Sequence, residues 1–238
     1  MHMNARSINK NIEAINQMLS RLNISFDIIG VSETWVSEPC DLIQMEDYKL
    51  ICNGRKNRKG GGMDLYLKEE INYKIRKDLS IYDGGIMESL FIEVVNEKDK
   101  NIIVGVIYRA PDSNTKRFLE STTQITEKIN LENKKCYLLG DFNINLLRAN
   151  DSVISGEFLD IIYSPFFQPL ISKPTRITTN TATLIDNIFT NVFKNQATCV
   201  NGLLCADISD HIPIFHIHKM NDKKLKQLKK ESKIYEKI

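Results

Sequence analysis

Cys136-Tyr137-Leu138-Leu139-Gly140-Asp141-Phe142-Asn143 is the stretch on which the reading of this chain turns. Its apolar and aromatic run predicts a strand buried on both faces, too short to be a helix. The run then meets Gly140 and two polar side chains, Asp141 and Asn143. In layered α/β sheets, the carboxyl ends of buried strands are where ligand-handling groups collect. A carboxylate there can take a proton from water, and an amide beside it can donate to a phosphate oxygen. Alone, the stretch reads equally as a turn, because Gly, Asp and Asn are common turn formers.

Working outward toward the amino terminus, the same arrangement recurs. Leu119, Thr122, Ile125 and Ile129 have helical spacing within residues 118–131 and lead into the quoted strand. Residues 88–95 and 102–108 predict paired strands across a polar turn, the second ending in Tyr108-Arg109-Ala110-Pro111. Gly60-Gly61-Gly62 enters the alternating Met63-Asp64-Leu65-Tyr66-Leu67, a predicted strand. No Gly-Lys-Ser/Thr follows, so the glycines read as a hairpin or bulge and not as a phosphate loop. Residues 36–60 read as polar loop with a basic patch at Arg55, Lys56, Arg58 and Lys59. Phe26 to Val31 predicts a buried strand that delivers Ser32-Glu33-Thr34-Trp35. Ile12, Ile15, Leu19 and Leu22 predict an amphipathic helix ending near Asn23. Asn4-Ala5-Arg6-Ser7 comes first, with too few residues before it for a full strand.

Toward the carboxyl terminus, residues 155–163 predict a short helix, and Pro165, Pro169 and Pro174 an irregular segment carrying Thr175-Arg176. Leu184 to Phe189 predicts a strand with Asp186 embedded in it, and Ser209-Asp210-His211 stands directly before another strand. Strands alternate with helices and outnumber them, which predicts an α/β fold of two packed sheets with flanking helices. Residues 1–218 read as one domain, and residues 219–238 as a basic, lysine-rich tail or linker.

Composition narrows the class. Hydrophobic content of 42% with 26% charged residues is that of an ordinary globular chain. No apolar run is long enough to span a bilayer, so no membrane partner is expected. The start lacks a signal-peptide core, and the five cysteines are odd in number and outside any Cys-x-x-Cys pair. These features predict a reducing, intracellular setting, nuclear or cytoplasmic and not secreted, without a disulfide framework or zinc site. Eight lysines against three carboxylates give residues 219–238 a charge of +5, which leaves −3 on the rest of a chain of net +2. Such a tail suits contact with nucleic acid or anionic lipid, and equally a solvated linker.

The polar residues at strand ends are Glu33, Tyr108, Asp141, Asn143, Asp186, Asp210 and His211. No Gly-x-Ser-x-Gly elbow and no cysteine motif is present, so thiol and Ser/His/Asp hydrolases fit poorly. Acids and an amide suit a hard cation such as Mg²⁺, which takes oxygen ligands. In this reading Glu33 binds the metal, Asp141 activates water, Asn143 holds the water or the phosphate, and His211 is oriented by a carboxylate such as Asp186. Each residue also has a plain structural use: Glu33 as a helix cap, Tyr108 as a strand tyrosine, His211 as a satisfied core histidine. Asp186 is harder to explain away, since a buried carboxylate is costly without a partner.

The ordered set Asn4-x-Arg6-Ser7, Ser32-Glu33-Thr34-Trp35, Gly60-Gly61-Gly62, Tyr108-Arg109-Ala110-Pro111, Gly140-Asp141-Phe142-Asn143, Ile185-Asp186 and Ser209-Asp210-His211 resembles one family closely. It is similar to the endonuclease domain of non-LTR (LINE-type) retrotransposons, in the superfamily of exonuclease III and DNase I. The resemblance implies a four-layered, DNase I-like sandwich of two mixed sheets flanked by helices. It implies Mg²⁺-dependent (or Mn²⁺-dependent) hydrolysis of double-stranded DNA by one attack of water. By motif position, Glu33, Asn4 and Asp210 belong to the metal site, and Tyr108 bonds the phosphate. Asp141 and Asn143 handle the nucleophile, Asp186 pairs with His211, and Thr175 and Arg176 approach DNA. The nick would prime a reverse transcriptase, a domain or protein absent from this chain. A phosphatase of the same superfamily and an inactive nucleic-acid-binding remnant are the alternative readings. Two departures stand out: the short stretch before Asn4, and Asp64 where relatives carry a small or apolar residue.

Overall fold

The computed structural model describes residues 1–36, 43–52, 60–83, 85–96, 100–192 and 199–218. The basic patch at Arg55–Lys59 and the lysine-rich tail lie outside the described residues. In chain order the elements are β1 (His2–Asn4), α1 (Ile8–Arg21), β2 (Ile28–Ser32), β3 (Tyr48–Cys52), β4 (Met63–Lys68), β5 (Tyr73–Ile75), β6 (Tyr82–Asp83) and β7 (Met87–Val94). Then come β8 (Ile102–Arg109), α2 (Thr115–Leu131), β9 (Lys135–Asp141), a 3₁₀ turn (Leu146–Arg148), α3 (Val153–Tyr163) and β10 (Gln168–Pro169). The last are β11 (Arg176–Ile177), β12 (Ala182–Thr183), β13 (Asp186–Thr190), β14 (Cys199–Leu203) and β15 (Ile214–His218).

Two mixed sheets stack face to face. One runs β14-β15-β1-β2-β4-β3 and the other β10-β13-β9-β8-β7-β5, with β6 on β7 and β11-β12 as a separate hairpin. The period-2 pattern of each strand assigns its two faces. Leu65 and Leu67 of β4, Val104 and Val106 of β8, Leu139 of β9 and Ile188 of β13 fill the space between the sheets. Met1 and Met3, Ile29 and Val31, and Tyr66 point the other way, against Ile8 and Ile15 of α1. Ile103 and Ile107, Leu138 and Phe189 point out of the second sheet against Phe118, Ile125 and Phe158 of α2 and α3. Helix, sheet, sheet, helices: the expected four layers are present.

The same parity places the chemistry. Asn4 shares a face with His2, Tyr108 with Val106, Asp141 with Leu139, and Asp186 with Ile188. All four polar residues therefore belong to the inter-sheet faces, at one end of the sandwich, where Tyr108 stands beside Asp141 and Asp141 beside Asp186.

Three expectations change. β1 is a strand despite its length, parallel to β2 through His2↔Gly30, Met3↔Val31 and Asn4↔Ser32, and antiparallel to β15 at His2↔Ile214. Neighbours on both sides supply the ladder that three residues cannot stabilise alone, so Asn4 is held centrally. The polar region after residue 36 contains β3, an edge strand on β4. Cys52 within it is disulfide-bonded, against the expectation of unpaired cysteines, and a reducing compartment does not favour such a bond.

Asp64 is buried at 3% exposure, opposite Val31 and Cys52. Burial pushes its pKa up to about 7, although a hydrogen bond from Thr34 opposes the rise. Its Oδ2 has no hydrogen-bond partner among the described residues. A carboxyl held protonated in the fold but ionised in the unfolded chain stabilises the fold fully only below about pH 4. That contribution fades as pH rises toward 7 and is gone above it. Asp64→Asn should therefore raise stability by about 2 kcal/mol at pH 8 and lower it by about 2 kcal/mol at pH 4, from ~1.4 kcal/mol per pKa unit less a burial cost of ~2 kcal/mol for the amide that is the same at both. Thermal melts of both proteins at the two pH values check this; an equal shift at both would sink the linkage.

Candidate active site

β1 and β2 run parallel and end together, and the chain beyond them is laced by backbone bonds: Ser7 N to Glu33 O at 2.9 Å and Ile8 N to Thr34 O at 3.0 Å. This brings Asn4 to Glu33. The Asn4 Nδ2 donates both to Glu33 Oε1 at 3.1 Å and to Asp141 Oδ2 at 2.8 Å. Tyr108 Oη donates to the same Glu33 oxygen at 3.4 Å. With both bonds falling on Oε1, the half-buried Glu33 keeps Oε2 for another ligand. Asn4 is therefore not displaced from Glu33, so the short stretch before it lends no support to the inactive-remnant reading.

Asp141 is fully buried and accepts a second bond from the Asn143 backbone N–H at 3.1 Å. Burial, and then the neighbouring Asp186, push its pKa well above the usual carboxylate range. Asn143 holds a left-handed backbone, φ 48°, which asparagine tolerates better than most residues. It interlocks with Arg109: its Nδ2 donates to the Arg109 carbonyl at 2.8 Å, and the Arg109 guanidinium donates to the Asn143 carbonyl at 2.9 Å. Phe142, between the two polar residues, anchors the turn in the outer core against Phe158 and Phe189.

Asp186 pairs with His211 Nδ1 at 2.9 Å, and Asp141 Oδ2 lies 3.9 Å from the same nitrogen. Burial alone would lower the His211 pKa, but Asp186 and Asp141 outweigh it and raise it to about 9, so the ring is cationic at neutral pH. His211 is set in place by Ser209, whose Oγ accepts from the His211 N–H at 3.1 Å and donates to the Asn4 carbonyl at 2.8 Å. Thr175, expected at the substrate, is instead fully buried: its hydroxyl accepts from the Ile185 and Asp186 N–H groups at 3.2 and 3.0 Å and so sets the start of β13. Arg176 is partly exposed and pairs with Asp210 at 2.8 Å, and Arg6 meets the other Asp210 oxygen at 3.0 Å. Burial would raise the Asp210 carboxyl, but the hydrogen bond from Arg176, then the charges of His211 and Arg6, hold it below its usual range.

Sequence reasoning missed the parts played by Arg6 and Arg109, both inside quoted motifs. It also passed over His2, buried 4.0 Å from Asp186 and bonded to Ser32 Oγ at 3.2 Å. Burial pushes that ring down to about 4, so it stands neutral behind the ionised pair. The hint was available: residue 2 shares the inward parity of Asn4.

The donor set suits a hard divalent cation. Ligand-type atoms of Asp141, Asp186 and His211 lie within 4.8 Å of one another, and Glu33 stands beside them through Asn4, whose own Oδ1 accepts from the Arg6 N–H at 3.1 Å. A buried carboxylate pair, a cationic histidine and a half-buried glutamate at one end of a two-sheet sandwich define a metal-dependent phosphoester hydrolase. The chain belongs to the Endonuclease/Exonuclease/phosphatase family, whose profile matches residues 1–211.

Solved structures agree on the fold. The endonuclease domain of TRAS1, a telomere-specific non-LTR retrotransposon, superposes with a TM-score of 0.71 at 13% identity, over 93% of this chain and 98% of that one. The catalytic domain of Xenopus laevis APE2 gives 0.65 at 16% identity, over 92% and 90%. A 3′ phosphatase from Neisseria, bound to a product DNA hairpin, gives 0.64 at 15% identity, over 92% and 98%. A search of curated proteins gave no match.

Proposed function

We propose that this chain is a Mg²⁺-dependent endonuclease that nicks double-stranded DNA for insertion of a retroelement. One observation carries the reading: Asn4 bridges Glu33 to Asp141, and Asp141 abuts the Asp186–His211 pair, so metal-type oxygen, base and cationic imidazole form one bonded unit. Glu33, Asn4 and Asp210 would hold Mg²⁺, or Mn²⁺ in its place. A divalent ion bound there would supply polarisation of a phosphoryl oxygen and would offset developing charge.

The protein's own residues do the rest. Asp141, its proton affinity raised toward neutrality, accepts a proton from the attacking water. Asn143 acts on that water through Asp141, whose Oδ1 its backbone N–H fixes. His211, with Nδ1 committed to Asp186, has Nε2 left to donate to the phosphate as negative charge builds. Tyr108, whose hydroxyl reaches Glu33 at 3.4 Å, would turn that proton to the phosphate, and Arg176 and Arg6 offer positive charge to flanking phosphates. The fold likeness to the TRAS1 domain supports a retroelement context. The nicked strand would then be extended by a reverse transcriptase supplied by another domain or protein, inside the cell and, for chromosomal targets, in the nucleus.

The test is supercoiled plasmid with and without Mg²⁺. Nicked circles should form with the ion, vanish with EDTA, and fall at least about 100-fold in Glu33→Ala and His211→Ala, the usual range for lost acid–base and electrostatic groups. Equal nicking by wild type and both variants would refute the reading. Release of inorganic phosphate from phosphomonoesters, with plasmid untouched, would favour the phosphatase alternative.

A further inference from the structure

The loop that carries Glu33 carries the chain's one tryptophan two residues later, and Trp35 is 49% exposed. Single exposed apolar residues are ordinary on protein surfaces. This one is held out at a conformational cost. Glu33 and Trp35 have φ of 51° and 56°, a region that bulky side chains avoid. Between and after them Thr34 and Val36 are buried, at 1% and 8% exposure. The backbone thus turns Thr34 and Val36 in and sends Glu33 and Trp35 out.

The loop is also fixed on both flanks. Trp35 N donates to Gly61 O at 2.9 Å and Thr34 N to Gly62 O at 3.4 Å, while Glu33 O and Thr34 O accept from the start of α1. Gly62 in turn donates to the buried Glu88 carboxylate at 2.9 Å. Gly62 has φ 89°, and a Cβ there would meet Thr34 Oγ1 at 2.6 Å, so this seam needs its glycine. A rigid seam that presents a large aromatic next to a catalytic carboxylate pays its conformational cost in advance of binding.

Two arginines flank one carboxylate on the same side of the site. Arg6, 44% exposed along its side chain, precedes Ser7, whose N–H bonds the Glu33 carbonyl, and its guanidinium pairs with Asp210, as does that of Arg176. Arginines that can meet phosphates, next to an exposed indole, are the elements of nucleic-acid grooves in which aromatic rings stack on bases or sugars.

We propose that Trp35 is a substrate-contacting residue, packing its indole on a base or deoxyribose of the DNA strand whose phosphate enters the site. The proposal rests on the endonuclease reading and adds to it the side chain that reads the nucleotide face beside the cut. Because Trp35 is the sole tryptophan, its fluorescence reports on that position alone.

The experiment titrates the non-hydrolysing His211→Ala protein with a dye-labelled short duplex, following dye anisotropy for binding and tryptophan emission for contact. Binding should quench Trp35. In steady-state nicking by otherwise wild-type protein, Trp35→Ala should raise KM by about 5- to 100-fold, the range for loss of one stacked base, with kcat within about twofold. Trp35→Phe, which keeps an aromatic face, should recover most of that affinity, whereas a merely structural role would show as a lowered melting temperature with KM unchanged. Duplex binding with unaltered emission, or an unchanged KM in Trp35→Ala, overturns the proposal and leaves the endonuclease reading intact. Absence of both binding and nicking overturns the two together.

Discussion

Asp141→Asn is expected to slow phosphodiester hydrolysis by about 10³-fold, within the ~10²–10⁴ that a positioned general base contributes, while the protein stays folded. The substitution is nearly isosteric, but its single amide oxygen can accept from Asn4 Nδ2 or from the Asn143 N–H, which meet the two Asp141 oxygens at 2.8 and 3.1 Å, and not from both. It also removes one of two facing buried carboxylates, Asp141 and Asp186, whose mutual repulsion contributes to the raised Asp141 proton affinity. The lost acceptor and the relieved repulsion offset each other, so stability should stay within about 1 kcal/mol of wild type while activity collapses, a combination that general misfolding cannot produce. The pH dependence gives a second reading. A base must be unprotonated to act, so wild-type nicking should climb with pH through the neutral range as Asp141 ionises. It should fall again near pH 9, where His211 loses its proton. The Asn variant should lose the acid limb and keep the alkaline one. Single-turnover nicking from pH 5 to 10, with melts alongside, measures both; a variant within tenfold of wild type removes Asp141 from the role of base.

How much of this was legible in the sequence depends on the kind of contact involved. Asp141, Asp186 and His211 stand at the ends of apolar runs, where strand parity and the end of burial coincide. Their convergence on one end of the sheets follows from reading each run correctly. β3 and β14 were passed over because Tyr48-Lys49-Leu50-Ile51-Cys52 and Cys199-Val200-Asn201-Gly202-Leu203 lack clean alternation, as edge strands covered on one side can. β1 was underrated because its stability lies in its neighbours, which a local pattern does not contain. The bracket of Asp210 between Arg6 and Arg176 joins residues some 34 to 204 positions apart, counted along the sequence. No spacing rule reports such a contact. Thr175 shows the opposite error: carried over by position as a ligand contact, it turned out to spend its hydroxyl on backbone N–H groups.

Gly140→Ala is expected to cost stability at the upper end of single-residue effects, about 4–5 kcal/mol, and to abolish activity with it. A Cβ at Gly140 would lie 2.0 Å from the Ile107 carbonyl oxygen and 2.9 Å from its carbonyl carbon. Those atoms are backbone in β8, so no side-chain rotation relieves the overlap, in contrast to Gly105, whose close neighbours are the Phe91 ring. The two strands would have to part where Ile107 pairs with Gly140, one step before Tyr108 pairs with Asp141. β9 is also the strand between β8 and β13, so separation on one side disturbs Asn187, which faces Gly140 from the other. At about 2–4 °C per kcal/mol for a chain of this length, the melting temperature should drop by ~10 °C or more. A partly folded variant would still misplace Asp141 against Tyr108 and Glu33, so nicking should be lost even at temperatures where the variant is folded. Melting curves with nicking assays on the cold, folded protein separate the two effects. An alanine variant that melts within 3 °C of wild type, on the scale just given, would mean that β8 and β9 are not pressed together as described.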